Sequence, residues 1–210
     1  MVPGAYLFDM DGVLVDNCGY HVLAWLELAR KYGGQLTERQ VIDWMGAPGR
    51  DYIVRMFPDE TLTAARVDEL LREKEACYRD LYRPHLVLRE GLGELLARAQ
   101  TEKVPCAVVT GGSPANVAFV LDGLGIRRAF TCIVDSSQYA RGKPAPDCYL
   151  QAASILGVAA ADCVVFEDAL NGIAAAQAAG MRVVAITGTN TRTVLASARP
   201  DLIVDSFAEF

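Results

Sequence analysis

The sequence lacks long apolar runs, an excess of positive charge and closely spaced cysteines, and each absence excludes a class of protein. No stretch approaches the roughly 18 apolar residues of a membrane-spanning helix. Asp9 and Asp11 interrupt the N-terminal apolar stretch, which therefore lacks the pattern of a signal peptide. The six cysteines are scattered and form no C-x-x-C pair, so we expect reduced thiols in a cytoplasmic protein.

The chain has fewer basic than acidic residues. Lysine and arginine number 20 against 26 aspartates and glutamates, and the net charge is −6. We therefore expect neither nucleic acids nor membrane surfaces as partners, because both attract basic proteins. The chain also has no internal repeat. With 52% hydrophobic residues among 210, it can bury a large core as one domain, or as one domain with an insertion.

The second half of the chain alternates strand and helix patterns in short units. Pro114 and Gly125 bracket one predicted helix, Pro146 and Gly157 bracket another, and residues 172–179 form a third. Such alternation predicts a parallel sheet with helices on both faces. The predicted strands are 5–8, 104–110, 131–134, 163–166, 181–186 and 202–204.

Residues 17–89 differ from this pattern. They carry apolar residues at helical spacing, such as Val22 and Leu26, and few strand signals. We interpret them as a helical domain that is inserted after the first strand. The predicted organisation is thus an α/β core of residues 1–16 and 90–210, with a helical insertion between these two parts.

Two carboxylates, Asp9 and Asp11, follow the first predicted strand. Side chains two apart on a strand share a face, and Gly12 lets the chain turn sharply after them. Both acids are expected at the carboxyl end of the strand, where open α/β sheets bind their ligands. Two such acids repel each other and raise one pKa unless a cation lies between them. A strand that ends in a turn with a capping Asp is the alternative interpretation.

Further polar groups follow the other predicted strands. In chain order the groups are Asp9/Asp11, Thr110, Lys143 and Glu167/Asp168. Because strand ends meet at one edge of a parallel sheet, we expect these side chains to lie close together. Two acidic clusters from separate strands form an all-oxygen site that suits Mg²⁺. Taken singly, each group is also typical of an ordinary loop or helix start.

A phosphate-binding arrangement is predicted beside the acids. Thr110 offers a hydroxyl, the Gly111-Gly112 backbone offers N–H groups at a helix start, and Lys143 offers a positive charge. Around a carboxylate and a metal ion, these groups indicate phosphoryl transfer with an Asp as nucleophile. Charge stabilisation and in-line positioning must then supply most of the rate, because phosphate monoesters hydrolyse very slowly in water.

Three motifs resemble the haloacid dehalogenase superfamily of Mg²⁺-dependent aspartyl-phosphate enzymes, in the branch with a helical cap after the first strand. They are D-x-D-G-x-L-x-D at 9–16, G-K-P-A-P-D at 142–147 and V-F-E-D-A-x-x-G-I-x-A-A-x-A-A-G-M at 165–181. The resemblance extends over nearly the whole chain. It implies a three-layer, Rossmann-like α/β core and a cap that closes over the substrate and excludes water.

The resemblance also implies roles for the core residues. Asp9 is the implied nucleophile. Asp11 is the implied general acid and base, and it favours phosphate chemistry because a dehalogenase would lack this second Asp. The implied phosphoryl-binding groups are Thr110, Gly111, Gly112 and Lys143. The implied Mg²⁺ ligands are Asp9, Asp11 through its carbonyl and Asp168, with Glu167 at or next to the metal.

The inserted helical residues indicate which members of this branch the chain resembles. Residues 20–25 resemble a segment shared by β-phosphoglucomutases and bacterial fructose-1-phosphate/6-phosphogluconate phosphatases, and Gly46-Ala47-Pro48-Gly49-Arg50 resembles a cap loop that carries an Arg in both. The candidates for binding the sugar or its distal anionic group are His21, Arg50 and Lys74. A core histidine and solvated cap residues are the alternatives. Ala169 stands where this branch commonly has Ser and the sugar phosphatases tend to have Ala, which favours the phosphatases.

The sequence therefore predicts a monomeric, Mg²⁺-dependent phosphatase of small sugar phosphates or sugar acids, such as fructose 1-phosphate or 6-phosphogluconate, acting through an aspartyl phosphate. The main alternative is a β-phosphoglucomutase, which interconverts β-glucose 1-phosphate and glucose 6-phosphate with the same nucleophile. A phosphoglycolate-type phosphatase and a non-catalytic binding protein on this fold are further alternatives.

Overall fold

The computed structural model describes residues 2–44, 49–58 and 61–210. The chain divides into two compact units, a core that comprises the residues up to Asp16 together with Leu86–Phe210, and a helical unit of Asn17–His85. Residues 86–89, which the sequence pattern assigns to the insertion, group with the core. In the part of the chain that the structure describes, no helix is long and apolar enough to cross a membrane.

The core contains a parallel sheet, as predicted. Its six strands, in the described residues, are β1 (Ala5–Phe8), β2 (Cys106–Val109), β3 (Cys132–Val134), β4 (Cys163–Glu167), β5 (Arg182–Ile186) and β6 (Leu202–Val204). They are arranged in the order β3-β2-β1-β4-β5-β6. The α-helices, in chain order, are α1 (Cys18–Tyr32), α2 (Glu38–Asp43), α3 (Gly49–Met56), α4 (Ala64–Tyr82), α5 (Leu92–Glu102), α6 (Pro114–Gly123), α7 (Asp147–Leu156), α8 (Leu170–Ala178) and α9 (Arg192–Ser197).

The strand order reverses between β1 and β4. The chain first adds strands on one side of β1 and then returns to add β4 on the other side. In open α/β sheets, a crevice forms at such a reversal, outside the carboxyl ends of the strands. Phe8 is in register with Phe166 of β4 and Val108 of β2. The residues that follow these three positions therefore emerge side by side at this edge.

Both faces of the sheet are covered. On one face, the fully buried Leu7 and Val165 belong to one apolar cluster with Ala152 of α7 and Ile173 of α8. Strand residues alternate between faces, so the neighbours of Leu7 point the other way. The core thus has the three layers that the alternation of strands and helices predicts.

An aromatic cluster fills the opposite face. Phe8 stacks on Phe166 with ring centroids 4.8 Å apart, and Phe207 packs against both rings. Stacked and tilted aromatic pairs contribute beyond the area they bury, by about 0.5–1.5 kcal/mol each. This packing rigidly holds the two strands whose ends carry Asp9 and Glu167.

Local signals set most of the helix boundaries. Ser113 caps α6, because its Oγ accepts a hydrogen bond from the amide of Asn116, and Gly157 ends α7 in the left-handed conformation. The helix predicted from residue 172 instead begins at Leu170, so that Gly172 lies inside α8. A Cβ at Gly172 would overlap the Glu167 carboxylate, and this tertiary contact explains a glycine in the first turn of the helix.

The helical unit has its own apolar core. Trp25 of α1 stacks on Tyr52 of α3 with ring centroids 4.6 Å apart, and Val67 and Leu70 of α4 are almost fully buried in the same cluster. The regular structure of the described residues in this stretch is helical, as the 3.6-residue periodicity predicts.

Candidate active site

Three carboxylates converge at the carboxyl edge of the sheet. Asp9 directly follows β1, Glu167 is the last residue of β4, and Asp168 follows it. One oxygen from each lies within 4.8 Å of the others, and Glu167 and Asp168 are 1% and 3% exposed. Three acids so close and so buried repel one another strongly unless positive charge lies among them.

Lys143 supplies part of that positive charge. Its Nζ donates hydrogen bonds of 2.6 Å to Asp9 Oδ1, 2.6 Å to Glu167 Oε1 and 3.1 Å to the Val109 carbonyl. The lysine side chain is only 10% exposed. Burial alone would lower the pKa of Lys143, but the carboxylates of Asp9 and Glu167 outweigh it and raise that pKa well above its ordinary value.

Glu167 is held by four hydrogen bonds. Its Oε1 accepts from Lys143 and from the Tyr149 hydroxyl, at 2.6 Å each, and its Oε2 accepts from the amides of Asp168 and Ala169 at 3.1 and 3.3 Å. The Lys143 Nζ also lies 4.9 Å from the centre of the Tyr149 ring, in cation–π contact. Glu167 therefore anchors the lysine in addition to contributing negative charge.

Tyr149 is a site residue that lies outside the motifs of the sequence. It is fully buried on the first turn of α7, two residues after the G-K-P-A-P-D motif. A tyrosine at an inward-facing position so near that motif is the one signal that could have identified it, because a buried phenol needs a hydrogen-bond partner.

The remaining negative charge suits a hard cation. Burial raises the pKa of Asp9 well above its ordinary value, although Lys143 acts in the other direction. Burial, reinforced by Glu167, raises the pKa of Asp168 to about 7. One lysine faces three carboxylates here, and closely spaced carboxylate oxygens are the ligands that Mg²⁺ prefers. The donor set therefore fits a divalent cation.

Gly12 brings the loop after β1 against Asp168. Its φ of +78° is a left-handed conformation, and a Cβ there would overlap the Asp168 carboxylate. From the loop after β5, Asn190 donates to the Asp168 carbonyl at 2.9 Å, and the Thr189 hydroxyl bonds the Asp168 side chain. Thr189 and Asn190 belong to no sequence motif that would identify them as site residues.

Thr110 and the glycines after it lie on the other side of β1. The Thr110 Oγ1 accepts a hydrogen bond of 2.9 Å from the Gly112 amide. A Cβ at Gly112 would lie 3.6 Å from Asp11 Oδ2 and 2.9 Å from the terminal methyl of Met10. The loop thus passes close to Asp11.

The structure brings together two of the three predicted cap residues. In the helical unit, the Lys74 Nζ is 2.7 Å from His21 Nδ1 and 2.9 Å from Glu75 Oε1. Lys74 is 3% exposed. Arg50 is instead half-exposed and pairs with Asp68 at 3.3 Å. Residues 46–48 of the predicted cap loop lie outside the described residues.

Comparison with known proteins agrees with this geometry. Residues 3–180 match the family model described as haloacid dehalogenase-like hydrolase. The fructose-1-phosphate phosphatase of Escherichia coli is 34% identical over 85% of this chain and 93% of its own. The β-phosphoglucomutase of Bacillus subtilis is 33% identical over 87% of this chain and 82% of its own. A solved structure, the β-phosphoglucomutase of Clostridium difficile, is 26% identical over 99% of this chain and 93% of its own, with a TM-score of 0.86.

Proposed function

The chain belongs to the haloacid dehalogenase-like hydrolases, and we propose that it is a Mg²⁺-dependent phosphatase that hydrolyses small sugar phosphates, such as fructose 1-phosphate or 6-phosphogluconate, through an aspartyl phosphate. Its relatives mark it as an enzyme that acts on phosphate esters. The phosphatase activity is favoured over the mutase activity by Ala169, which the sugar phosphatases tend to share.

One observation carries the proposal. The Asp9 carboxylate lies at the reversal of strand order, 2.6 Å from the Lys143 ammonium and within 4.8 Å of two further acids. A carboxylate in this position can attack phosphorus, while the ammonium stabilises the charge on the transferring group. The glycines after Thr110 lead into α6, whose amides can bind the phosphoryl oxygens.

The first step transfers the phosphoryl group to Asp9. An Asp9 oxygen forms a bond to phosphorus as the bond from phosphorus to the sugar oxygen breaks, and Asp11 gives its proton to that departing oxygen. In the second step, a water oxygen bonds to phosphorus, the bond to Asp9 breaks, and Asp11 accepts the proton of the water. Inorganic phosphate leaves and both aspartates return to their starting state.

Mg²⁺, when bound by Asp9, Asp168 and the Asp11 carbonyl, would supply charge neutralisation between the nucleophile and the phosphoryl oxygens. Glu167 lies next to this ligand set and holds Lys143 in place. Thr110, with its hydroxyl oriented by the Gly112 amide, would bind a phosphoryl oxygen.

The helical unit supplies groups for substrate selectivity. His21 and Lys74 form a buried pair, whereas Arg50 is exposed and pairs with Asp68 across a longer distance. Guanidinium groups bind phosphates and carboxylates in a forked geometry. We therefore assign Arg50 to the distal anionic group of the substrate, and we keep His21 and Lys74 as candidates for binding the sugar or that same group.

Phosphorus NMR tests the proposal directly. The protein is incubated with Mg²⁺, fructose 1-phosphate, 6-phosphogluconate and β-glucose 1-phosphate, with a trace of glucose 1,6-bisphosphate as primer. Growth of inorganic phosphate at the expense of one substrate is the expected result. Conversion of β-glucose 1-phosphate to glucose 6-phosphate with little free phosphate would establish the mutase instead, an outcome that the similarity to the Bacillus enzyme makes worth measuring.

A further inference from the structure

The guanidinium of Arg89 joins three separate loops. Its Nη1 donates to the Gly12 carbonyl at 3.1 Å, and its Nη2 donates to the carbonyls of Thr187 and Asp205 at 2.7 and 3.2 Å. These carbonyls belong to the segments that follow β1, β5 and β6. In addition, the Arg89 amide donates to the Leu14 carbonyl at 3.0 Å. One residue thus fixes the chain at both ends of the loop that follows Asp11.

The backbone is shaped around this side chain. Gly188 has a φ of +140°, and a Cβ there would lie only 2.6 Å from Arg89 Nη1. The same loop continues into Thr189 and Asn190, which hydrogen-bond Asp168. The chain therefore passes close to the guanidinium just before it reaches the partners of Asp168.

Two of the joined loops position acids of the site. The loop after β1 carries Asp11, and its Gly12 lies against the Asp168 carboxylate. The loop after β5 hydrogen-bonds Asp168, because Asn190 donates to the Asp168 carbonyl. A shift of either loop would move Asp11 or Asp168 relative to Asp9, which the sheet holds independently through its amide bond to the Phe166 carbonyl.

We propose that Arg89 is a positioning residue for phosphoryl transfer, which fixes the loop that carries Asp11 and the loop that hydrogen-bonds Asp168. This inference rests on the proposed function. Arginine suits the task because its planar fork presents five N–H donors in a rigid arrangement, whereas a lysine ammonium is a compact group on a flexible stem. A lysine at this position would keep the charge but could not form the hydrogen bonds to all three carbonyls at once.

The test compares Arg89→Lys with Arg192→Lys in the full chain. Arg192 is the matched control, because it also donates to a backbone carbonyl, that of Ile203, and pairs with the Asp205 side chain. For each variant we would measure kcat and KM for p-nitrophenyl phosphate, the Kd of Mg²⁺ by calorimetry, and the melting temperature. Arg89→Gln, which keeps one amide donor, serves as a second variant should the first fold poorly.

We expect Arg89→Lys to lower kcat and to weaken Mg²⁺ binding about 10- to 100-fold, the usual effect of losing a group that orients metal ligands. The KM for p-nitrophenyl phosphate should stay within about twofold, because the phosphoryl-binding groups are not on the joined loops. Arg192→Lys should change only the melting temperature.

Equal kcat and equal Mg²⁺ affinity in the two folded variants would overturn the inference, even if both melt earlier. A wild-type protein without turnover would contradict the proposed function but would not test the role of Arg89. The Mg²⁺ titration would then be the measurement that tests this role. In that case, an unchanged Mg²⁺ affinity in Arg89→Lys would reject the positioning role.

Discussion

The two oxygens of Glu167 have different partners, and this division links three residues. Oε1 binds the Lys143 ammonium and the Tyr149 hydroxyl, while Oε2 is occupied by two backbone amides. The amides fix the carboxylate, and the carboxylate fixes the lysine beside Asp9. A buried charged network of this kind is stable only while each member keeps its partners, because an unpaired buried charge is costly.

Asp9→Asn tests the nucleophile. We expect turnover to disappear while the fold is retained, because the amide is nearly isosteric but cannot form the acyl phosphate. Phosphorus NMR gives the rate, and circular dichroism reports the fold. Asp162→Asn is the control, since that exposed residue precedes β4 at the far edge of the sheet. Substantial turnover by Asp9→Asn would reject the assignment.

Tyr149→Phe tests the anchor of Lys143. The ring that faces the ammonium remains, but Glu167 loses one hydrogen bond, which should lower the free energy of unfolding by about 1.5–3 kcal/mol. The looser lysine should lower kcat about tenfold. Urea unfolding and steady-state kinetics measure the two effects.

Tyr6→Phe is the matched control for this variant. Tyr6 is 3% exposed and lies in β1, but its hydroxyl bonds Arg98 instead of a site residue. We expect it to change stability without changing kcat. Equal kcat in the two variants would mean that the Tyr149 hydroxyl serves packing alone.

Arg50→Ala tests the distal-anion assignment. We expect KM to rise severalfold for a sugar phosphate that carries a second anionic group, and to stay unchanged for p-nitrophenyl phosphate, because only the former offers a partner to the guanidinium. Arg39→Ala is the control, since Arg39 is an exposed helical arginine of the same unit that is likewise paired with an aspartate, Asp43. The same KM change in both variants would argue against a specific role for Arg50.

At the scale of elements, the sequence predicts what depends on local pattern and misses what depends on distant contacts. The strand at 202–204 and the glycine end of α7 were predicted because alternation and glycine signals are local. Residue 89 contacts Gly12 and Thr187, which are 77 and 98 positions away, and no local pattern encodes such contacts. The placement of Asp9 beside Glu167 could be anticipated, since strand ends of a parallel sheet share one edge.

Gly172→Ala tests the close approach between α8 and the site. A Cβ at this position would overlap the Glu167 carboxylate, so the acid or the helix must move. We expect a loss of about 1–3 kcal/mol in the free energy of unfolding, as for other overpacked sites, together with a fall in kcat as Lys143 loses its anchor. Urea unfolding and kinetics with p-nitrophenyl phosphate are the measurements.

Gly93→Ala is the control for this variant, and its expected effect on the free energy of unfolding is opposite in sign. Gly93 lies in α5 and a Cβ there would meet nothing within 4 Å, so alanine should stabilise the helix by up to about 1 kcal/mol. Its kcat should be unchanged. If Gly172→Ala also left kcat and stability intact, the close approach of α8 to Glu167 would not be needed for activity.

At the scale of the whole molecule, the stability of the fold is coupled to the charge of its site. The chain carries a net charge of −6, and three of its acids are concentrated at one buried point. The apolar clusters on both faces of the sheet stabilise the strands that present these acids, and thus offset their mutual repulsion. A cation that binds there should therefore stabilise the entire core, because binding to the folded state alone shifts the unfolding equilibrium.

The pH dependence of that stabilisation follows from Asp168. In the metal-free protein its pKa is raised from the ordinary 3.8 to about 7, so between these values the folded state holds a proton that the unfolded state has lost. Stability contributed by this group is therefore present below about pH 4 and is lost as the pH rises toward 7.

Bound Mg²⁺ replaces the proton, so the melting temperature should rise more on adding Mg²⁺ in place of a chelator at pH 7.5 than at pH 5. Differential scanning calorimetry measures this difference, and Asp168→Asn, which has no proton to lose, should show a small Mg²⁺ effect at both pH values. An equal Mg²⁺ effect at pH 5 and 7.5 in the wild type would show that the acids at the sheet edge do not bind the metal as proposed.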